Sequence, residues 1–392
     1  MIPSCAAVFI EIPVAWLNNN QMPVPLLDLS RQHAPLQDAF KEAFNRVLES
    51  NGFVLGPDVK ALEEEVAAYC DCSHAVGLSS GTDALLVALM AMGIGPGDEV
   101  LCPSFTFFGT AGSVARLGAT PVWVDVLPDT YNIDLADALD KVSDRTKAII
   151  PVHLFGQAAE MECIGAFAKK FGLRVLEDVA QAIGATYNGR KVGSFGDFGA
   201  LSFYPTKNLG GFGDGGMLVT NDAELAEKAV WLRNHGMNPK YYHKYVGGNF
   251  RLDSIQAALL RVKFPHLDSY HAARNTHASY YIENLKGHSG IVCPRIIPQA
   301  KSVWNQFTLR VLDGKRDAFR EHLMGKGIGA DIYYPLGLHE QECFQEIGKG
   351  GESLTVTPML AKEVISIPCF PEMTEDEREE VLKAVWEFGY PG

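Results

Sequence analysis

The sequence predicts an α/β protein, a large domain with a mostly parallel sheet sandwiched by helices and a smaller C-terminal α+β domain. Three observations carry this. Short runs with strand character alternate with helical segments between Pro25 and Thr220. Several runs are apolar on consecutive residues, as expected of strands buried on both faces. Beyond about residue 265 that rhythm gives way to alternating strands and capped helices.

Residues 1–23 precede the orderly pattern and read as an N-terminal tail. Met1–Trp16 is apolar, but it lacks a basic start and carries Glu11, which argues against a secretory signal. Helical spacing then runs over His33–Glu49, with Leu36, Phe40, Ala43, Phe44 and Val47 on one side, and again over Val59–Tyr69. Gly81–Met92 predicts a strongly apolar helix that Gly93 stops. Strands are expected at Glu99–Cys102, Pro121–Asp125, Ala148–Val152, Arg174–Glu177, Ala200–Phe203 and Met217–Thr220, with a helix at Met161–Phe171. Asn221–Lys263 predicts a long helical stretch interrupted at Gly247-Gly248. The large domain is placed at 24–265 and the small one at 266–392. In the latter, strands are expected at Phe307–Val311, Ala330–Tyr334 and Val364–Ile367 and a helix at Arg316–Lys326. A last helix, Thr374–Phe388, opens on the capping box Thr374/Glu377.

Composition bounds the function classes. With 34 Lys plus Arg against 47 Asp plus Glu, the 392-residue chain carries −13, without the basic footprint of a general nucleic-acid binder. Any anionic ligand must be held by local devices, such as helix N-termini or a few aimed cations. The eight cysteines are scattered, none in a C-x-x-C pair, so no metal site is expected and a reduced, cytoplasmic setting is. No apolar run reaches the roughly 18 residues that cross a bilayer.

Four segments bear chemistry. Ser79-Ser80-Gly81-Thr82-Asp83 opens an apolar helix, where exposed N–H groups favour an anion, although a Ser or Thr there is also a plain cap. Asp178 ends an apolar strand, at the carboxyl end where open α/β sheets bind ligands; a helix-capping role is equally open. Lys207 stands in a turn dense with glycine, Ser202 to Gly216, whose apolar flanks would desolvate its ammonium as a Schiff-base lysine requires. Gly248–Gln256, with Asn249 and Arg251, leads polar groups into another helix. Pyridoxal 5'-phosphate needs a lysine, an acid for its pyridinium nitrogen and a phosphate cradle, and Lys207, Asp178 and the helix start at Thr82 supply one of each.

The motifs SSGTDAL (79–85), PSFTF (103–107), EDVAQAIGA (177–185), SFYPTKNLGGFGDGG (202–216), RNHG (233–236), GGNFRLDSIQAALL (247–260) and YYPLGLH (333–339) make the chain resemble the DegT/StrS-type nucleotide-sugar aminotransferases, over residues 24 to 390. The resemblance implies a fold-type I, pyridoxal phosphate-dependent enzyme. It implies that Lys207 bonds the cofactor and then shuttles the proton. Asp178 would keep the ring nitrogen protonated and Phe107 would stack on the ring. Thr82, the backbone of Asp83 and Ser202 would hold the phosphate, with Gln181 beside the 3-hydroxyl. Asn249 would reach the phosphate of a neighbouring subunit in a homodimer with shared sites, and Arg251 would bind the donor's carboxylate or the nucleotide-sugar's anionic groups. Tyr333, Tyr334 and His339 would line the substrate pocket, although a strand's aromatic pair also reads as core. His153 could face the cofactor or be a satisfied core histidine. Val179 and Ile183 depart from the family's usual residues without touching the essential chemistry.

The implied activity moves an amino group from an amino acid, L-glutamate as in the family, to a nucleotide-linked keto-sugar. Segments 303–310 and 333–339 look most like members acting on 3-keto sugars; a 4-keto substrate is the alternative, and a non-catalytic regulatory role a further one. A lysine at position 207, where related dehydratases have histidine, favours amination.

Overall fold

The computed structural model describes residues 22–389. Most of the expected N-terminal tail, residues 1–21, therefore lies outside the described residues, as do 390–392. The first nine strands are β1 (His74–Leu78), β2 (Glu99–Pro103), β3 (Thr120–Val124), β4 (Thr146–Ile149), β5 (Arg174–Asp178), the hairpin β6 and β7 (Thr186–Tyr187, Arg190–Lys191), β8 (Phe198–Ser202) and β9 (Gly216–Thr220). Seven of them form one sheet in the order β1-β9-β8-β5-β4-β2-β3. All its neighbours are parallel except β9, which runs antiparallel to β1 and β8. The mostly parallel sheet is thus as the sequence predicts.

The helices of this part are α1 (Leu29–His33), α2 (Gln37–Ser50), α3 (Pro57–Tyr69), α4 (Gly81–Met92), α5 (Phe108–Arg116), α6 (Leu135–Lys141), α7 (Met161–Phe171), α8 (Ala223–Arg233) and α9 (Ser254–Lys263), and α10 (Leu267–Asn284) leads on to the C-terminal core, where its Ala278 and Tyr281 pack. Because side chains alternate across a strand, each strand feeds two apolar layers. Leu101, Ile149, Val175, Leu201 and Val219 join Ile164 and Ala168 of α7 and Leu260 of α9. Val100, Ala148, Leu176, Ala200 and Leu218 join Leu85, Ala88 and Leu89 of α4. This double cover explains the unbroken apolar runs in the sequence.

The C-terminal part holds β10 (Ile291–Val292), β11 (Ala300–Lys301), β12 (Phe307–Val311), α11 (Arg316–Gly325), α12 (Val356–Glu363), β13 (Val364–Ile367) and α13 (Glu375–Glu387). Its sheet, β10-β12-β13, is antiparallel. The expected capping box is present, with Thr374 Oγ1 accepting from the Glu377 N–H and the Glu377 carboxylate from the Thr374 N–H. Val24 packs in this same core, joined to Ile328 by an isolated bridge.

Three expected elements differ. Ala330–Tyr334 is not a strand: Asp331 exchanges two hydrogen bonds with Ser366 and the chain then turns away, since Pro335 can donate nothing to a ladder. The helical stretch expected at Asn221–Lys263 is interrupted at Gly247-Gly248 as expected, but the break is longer, with residues 234–253 parting α8 from α9. Within it the chain folds back on itself so closely that position 236 requires glycine (φ 68°), since a Cβ there would sit 1.9 Å from the Tyr245 carbonyl oxygen. His33–Glu49 is likewise split, with a single 3-10 turn at Ala34–Leu36 around Pro35 before α2 begins.

One buried carboxylate ties the two parts together. Asp125, just beyond β3, accepts from the N–H groups of Thr355, Val356 and Thr357 at 2.8 Å each, and from Thr357 Oγ1 at 2.7 Å. It thus serves as the N-terminal cap of α12, whose own Thr355 supplies none. Burial alone would raise the Asp125 pKa, but the bonds from Val356, Thr357 and Thr355 outweigh it and hold it below 3.8. A depressed folded-state pKa adds stability above the unfolded value, and that stability is lost as pH falls through the folded one. Asp125→Ala should therefore cost about 2 kcal/mol at pH 7. In urea titrations the gap between variant and wild type should narrow below pH 4; a constant gap would contradict this account.

Candidate active site

The site gathers where β5 and β8 end and α4 begins. Ser80 caps α4, its Oγ accepting from the Asp83 N–H at 3.0 Å, while Ser79 Oγ donates to Asp83 Oδ2 at 2.6 Å. Gly81 is demanded by the approach of β8: a Cβ would lie 2.7 Å from the Ser202 Cβ. Thr82 follows in the same turn, with its Oγ1 3.0 Å from where a Cβ on Gly109 would stand. Thr82 and Ser202 therefore meet around one helix N-terminus, whose N–H groups and dipole suit a phosphate. The Asp83 N–H, also expected there, is already engaged by the Ser80 cap.

Asp178 closes β5 and is 5% exposed. Its Oδ2 accepts from Thr110 Oγ1 at 2.8 Å and its Oδ1 from the Ala180 N–H at 3.1 Å. Burial raises its pKa, opposed by those two bonds and by the charge of Lys207. Among the described residues no cation hydrogen-bonds this carboxylate. A buried acid without a cationic partner is costly, and a protonated ring nitrogen would be that partner.

Lys207 stands in the turn after β8, its N–H donating to the Tyr204 carbonyl at 2.8 Å. Asn208 Nδ2 donates to Val303 O at 3.0 Å, and Asn305 Nδ2 to Asn208 Oδ1 at 2.8 Å, so the next residue is pinned to the C-terminal part. Lys207 keeps some surface exposed, but burial draws its pKa down to about 8, with Asp178 pulling the other way. At neutral pH a usable fraction of its amine is therefore uncharged. The sequence expected this shift from the apolar flanks.

Gln181 joins the cluster. Its Oε1 accepts from the Phe155 N–H at 2.6 Å and its Nε2 reaches Tyr334 OH at 3.5 Å. The Tyr334 ring lies 6.4 Å from that of Phe107, which is 58% exposed at the start of α5. An aromatic left that open beside a buried acid is a ready platform for a planar ligand. Tyr333 packs edge-on against Tyr334 at 6.1 Å.

Other expected residues stand apart. His339 is tied to Ser104 by its ring (Nδ1 to Oγ, 2.7 Å) and by its N–H at 3.2 Å. Asn249 is exposed and bridges Asn234, whose Oδ1 accepts from Arg251 Nη1 at 2.7 Å. His153 is a core histidine. Its Nδ1 accepts from the Ala159 N–H at 3.0 Å, so Nε2 carries the proton and donates to Glu177 Oε2 at 3.0 Å.

Two participants were not foreseen. Thr110 has no local signal, since only the fold brings it to Asp178. Glu177 is 0% exposed and accepts from the N–H groups of Gly193 (2.8 Å), Phe195 (2.7 Å) and Gly196 (2.7 Å) as well as from His153. Its signal was present: two acids in a row on an otherwise apolar strand must face opposite sides of the sheet, so one of them needs partners away from the ligand.

The groups on hand fit pyridoxal phosphate: a seat for the phosphate at Gly81, Thr82 and Ser202, an open aromatic face, a buried acid and a desolvated lysine. Comparison with known proteins agrees. The profile of the DegT/DnrJ/EryC1/StrS aminotransferase family matches residues 35–386. A pleiotropic regulatory protein of Geobacillus stearothermophilus is 48% identical, aligning 94% of this chain with 99% of that one. A UDP-N-acetyl-3-dehydro-alpha-D-glucosamine 3-aminotransferase of Acidithiobacillus ferrooxidans is 47% identical, over 90% of this chain and 95% of that one. The solved structure of DesV from S. venezuelae is similar with a TM-score of 0.91 at 41% identity, covering 94% of this chain and 99% of that chain.

Proposed function

Since the chain belongs to the DegT/DnrJ/EryC1/StrS aminotransferase family, we propose that it moves an amino group from L-glutamate to C3 of a nucleotide-linked 3-keto sugar. The observation that carries a catalytic reading is that Lys207, in the turn after β8, and Asp178, at the end of the adjacent strand β5, stand near enough for each charge to act on the other. When bound, pyridoxal phosphate supplies the electron sink that makes the substrate's Cα proton acidic. The protein's own groups do the rest. Asp178, fixed by Thr110 and Ala180, holds a proton on the ring nitrogen. Lys207, its amine partly neutral, would hold the cofactor and carry the proton taken from the substrate carbon. Phe107 would stack on the ring, Gln181 would stand beside its 3-hydroxyl, and Thr82 and Ser202 would hold the phosphate.

Asn249 completes the site in a homodimer, each chain lending it to its neighbour, and its exposure in the single chain is compatible with that role. Arg251 takes the donor's carboxylate or the sugar nucleotide's anionic groups, and Tyr333 lines the pocket. His339, expected to line it as well, is bonded to Ser104. No described helix is long and apolar enough to cross a membrane, and buried free thiols such as Cys70 and Cys102 suit the reducing cytoplasm.

The C3 assignment rests on the Acidithiobacillus relative, whose name specifies a 3-dehydro sugar. Given a 3-keto nucleotide-sugar and its 4-keto isomer, the enzyme should aminate the first at least about tenfold faster; faster turnover of the 4-keto compound overturns the assignment. The regulatory name borne by another relative makes one measurement decisive for catalysis itself. Purified protein loaded with pyridoxal phosphate should show a visible band that L-glutamate bleaches. A colourless protein after loading would sink the aminotransferase reading.

A further inference from the structure

Lys263, the last residue of α9, is 0% exposed. Its Nζ donates to the Gly210 carbonyl at 2.7 Å and faces His33 Nε2 at 3.4 Å. Among the described residues it forms no ion pair closer than 4 Å; Glu372 is the acid whose charge it feels, and Arg274 opposes that. Burial lowers its pKa to about 8 and that of His33 to about 4. An apolar side chain of equal length in its place would shed the cost of the enclosed ammonium and leave the Gly210 carbonyl without its donor, two effects of opposite sign. The carbonyl it holds is the informative part, because Gly210 is three residues beyond Lys207.

A second contact lies on the same helix face. Gln256, two turns before Lys263, accepts from the Phe212 N–H through Oε1 at 2.9 Å. Its amide also lies 2.9 Å from where a Cβ on Gly211 or Gly213 would stand. The loop cannot brace itself there: at Gly210 a Cβ would be 2.1 Å from the Pro205 carbonyl oxygen, so no side chain is tolerated to stiffen it. Outside, the Phe212 ring stacks on His33 at 4.8 Å and meets Phe40 edge-on at 4.9 Å.

We propose that Lys263 and Gln256 are positioning residues for Lys207, with α9 serving as the rigid template that fixes the 207–213 loop and so aims the reactive amine. This rests on Lys207 being the reactive amine of the function proposed above. The test compares Lys263→Met and Gln256→Leu with wild type, each loaded with pyridoxal phosphate. Three readouts are followed: thermal midpoint, release of cofactor into excess apo-acceptor, and kcat and KM for L-glutamate.

The expected result for Lys263→Met is a thermal midpoint without cofactor within a few degrees of wild type, cofactor release about tenfold faster, and kcat about tenfold lower with KM within twofold, as misaiming a reacting group produces. Visible circular dichroism of the bound cofactor should weaken in parallel, which a purely structural role would not cause at unchanged stability. Wild-type release and kcat in Lys263→Met would overturn the proposal. Should that variant not fold, Gln256→Leu decides, since water can reach the Phe212 N–H it abandons: lower kcat with intact folding supports the template, and wild-type kcat overturns it. A wild type that takes up no cofactor overturns the function itself, whereas an active wild type beside unaltered variants overturns only the positioning role.

Discussion

Alanine in place of Lys207 should lower turnover by about 10⁴-fold, the upper range for a group that moves the proton in the slow step, and leave a folded protein. The side chain is drawn from water at the end of β8 and its pKa brought down to about 8, so removing it relieves a desolvated cation rather than a structural bond. Arginine should fail as well, because a guanidinium stays charged at any accessible pH. The same lowered pKa makes a pH prediction. Uptake of pyridoxal phosphate by the apoprotein needs the neutral amine, so its rate should climb as pH rises and level off above about 8. Stopped-flow absorbance checks this, and single-turnover assays check the variants. An alanine variant within about a hundredfold of wild type would show that another group moves the proton.

How much of this was legible beforehand depended on whether a feature is contiguous in the chain. Lys207 in its glycine-dense turn, Asp178 at the end of an apolar run and Thr82 at a helix start are each local statements, and each stands where the sequence places it. The two-faced cover of β2, β4, β5 and β8 was legible for the same reason, as unbroken apolar runs. Thr110 was not, because nothing near it in sequence distinguishes a threonine that turns toward a carboxylate 68 residues away. Helix α10 was also missed. Its buried face, Leu267, His271, Arg274, His277, Ala278 and Tyr281, is half polar and shows no apolar period. The strand expected at Ala330–Tyr334 failed in an instructive way. Aromatic residues with β propensity are aromatic there because Tyr334 faces Phe107 and Gln181, and Pro335 forbids the ladder that propensity alone suggests.

The substitution Asp178→Asn should isolate charge from shape. The new amide would be isosteric with the carboxylate, its carbonyl oxygen taking the Ala180 N–H and its nitrogen donating to the Thr110 hydroxyl, which can accept as well as donate. Folding and cofactor uptake should therefore survive. What disappears is the negative charge that keeps the cofactor's ring nitrogen protonated, in a pocket dry enough to raise the acid's own pKa. Losing one preorganised electrostatic partner of that kind costs about 10²–10³-fold in kcat. The Thr110→Val variant removes only one of the two bonds that favour the ionised carboxylate; its loss should be about tenfold, and it should worsen as pH falls and Asp178 takes up a proton. Glu177 explains why such small changes at residue 178 can be read cleanly. On the opposite face of the same strand end it is held by three backbone N–H groups and His153, so β5 cannot shift to compensate. Asp178→Asn with kcat within tenfold of wild type and an unchanged thermal midpoint would mean that the carboxylate's charge is not used in the reaction.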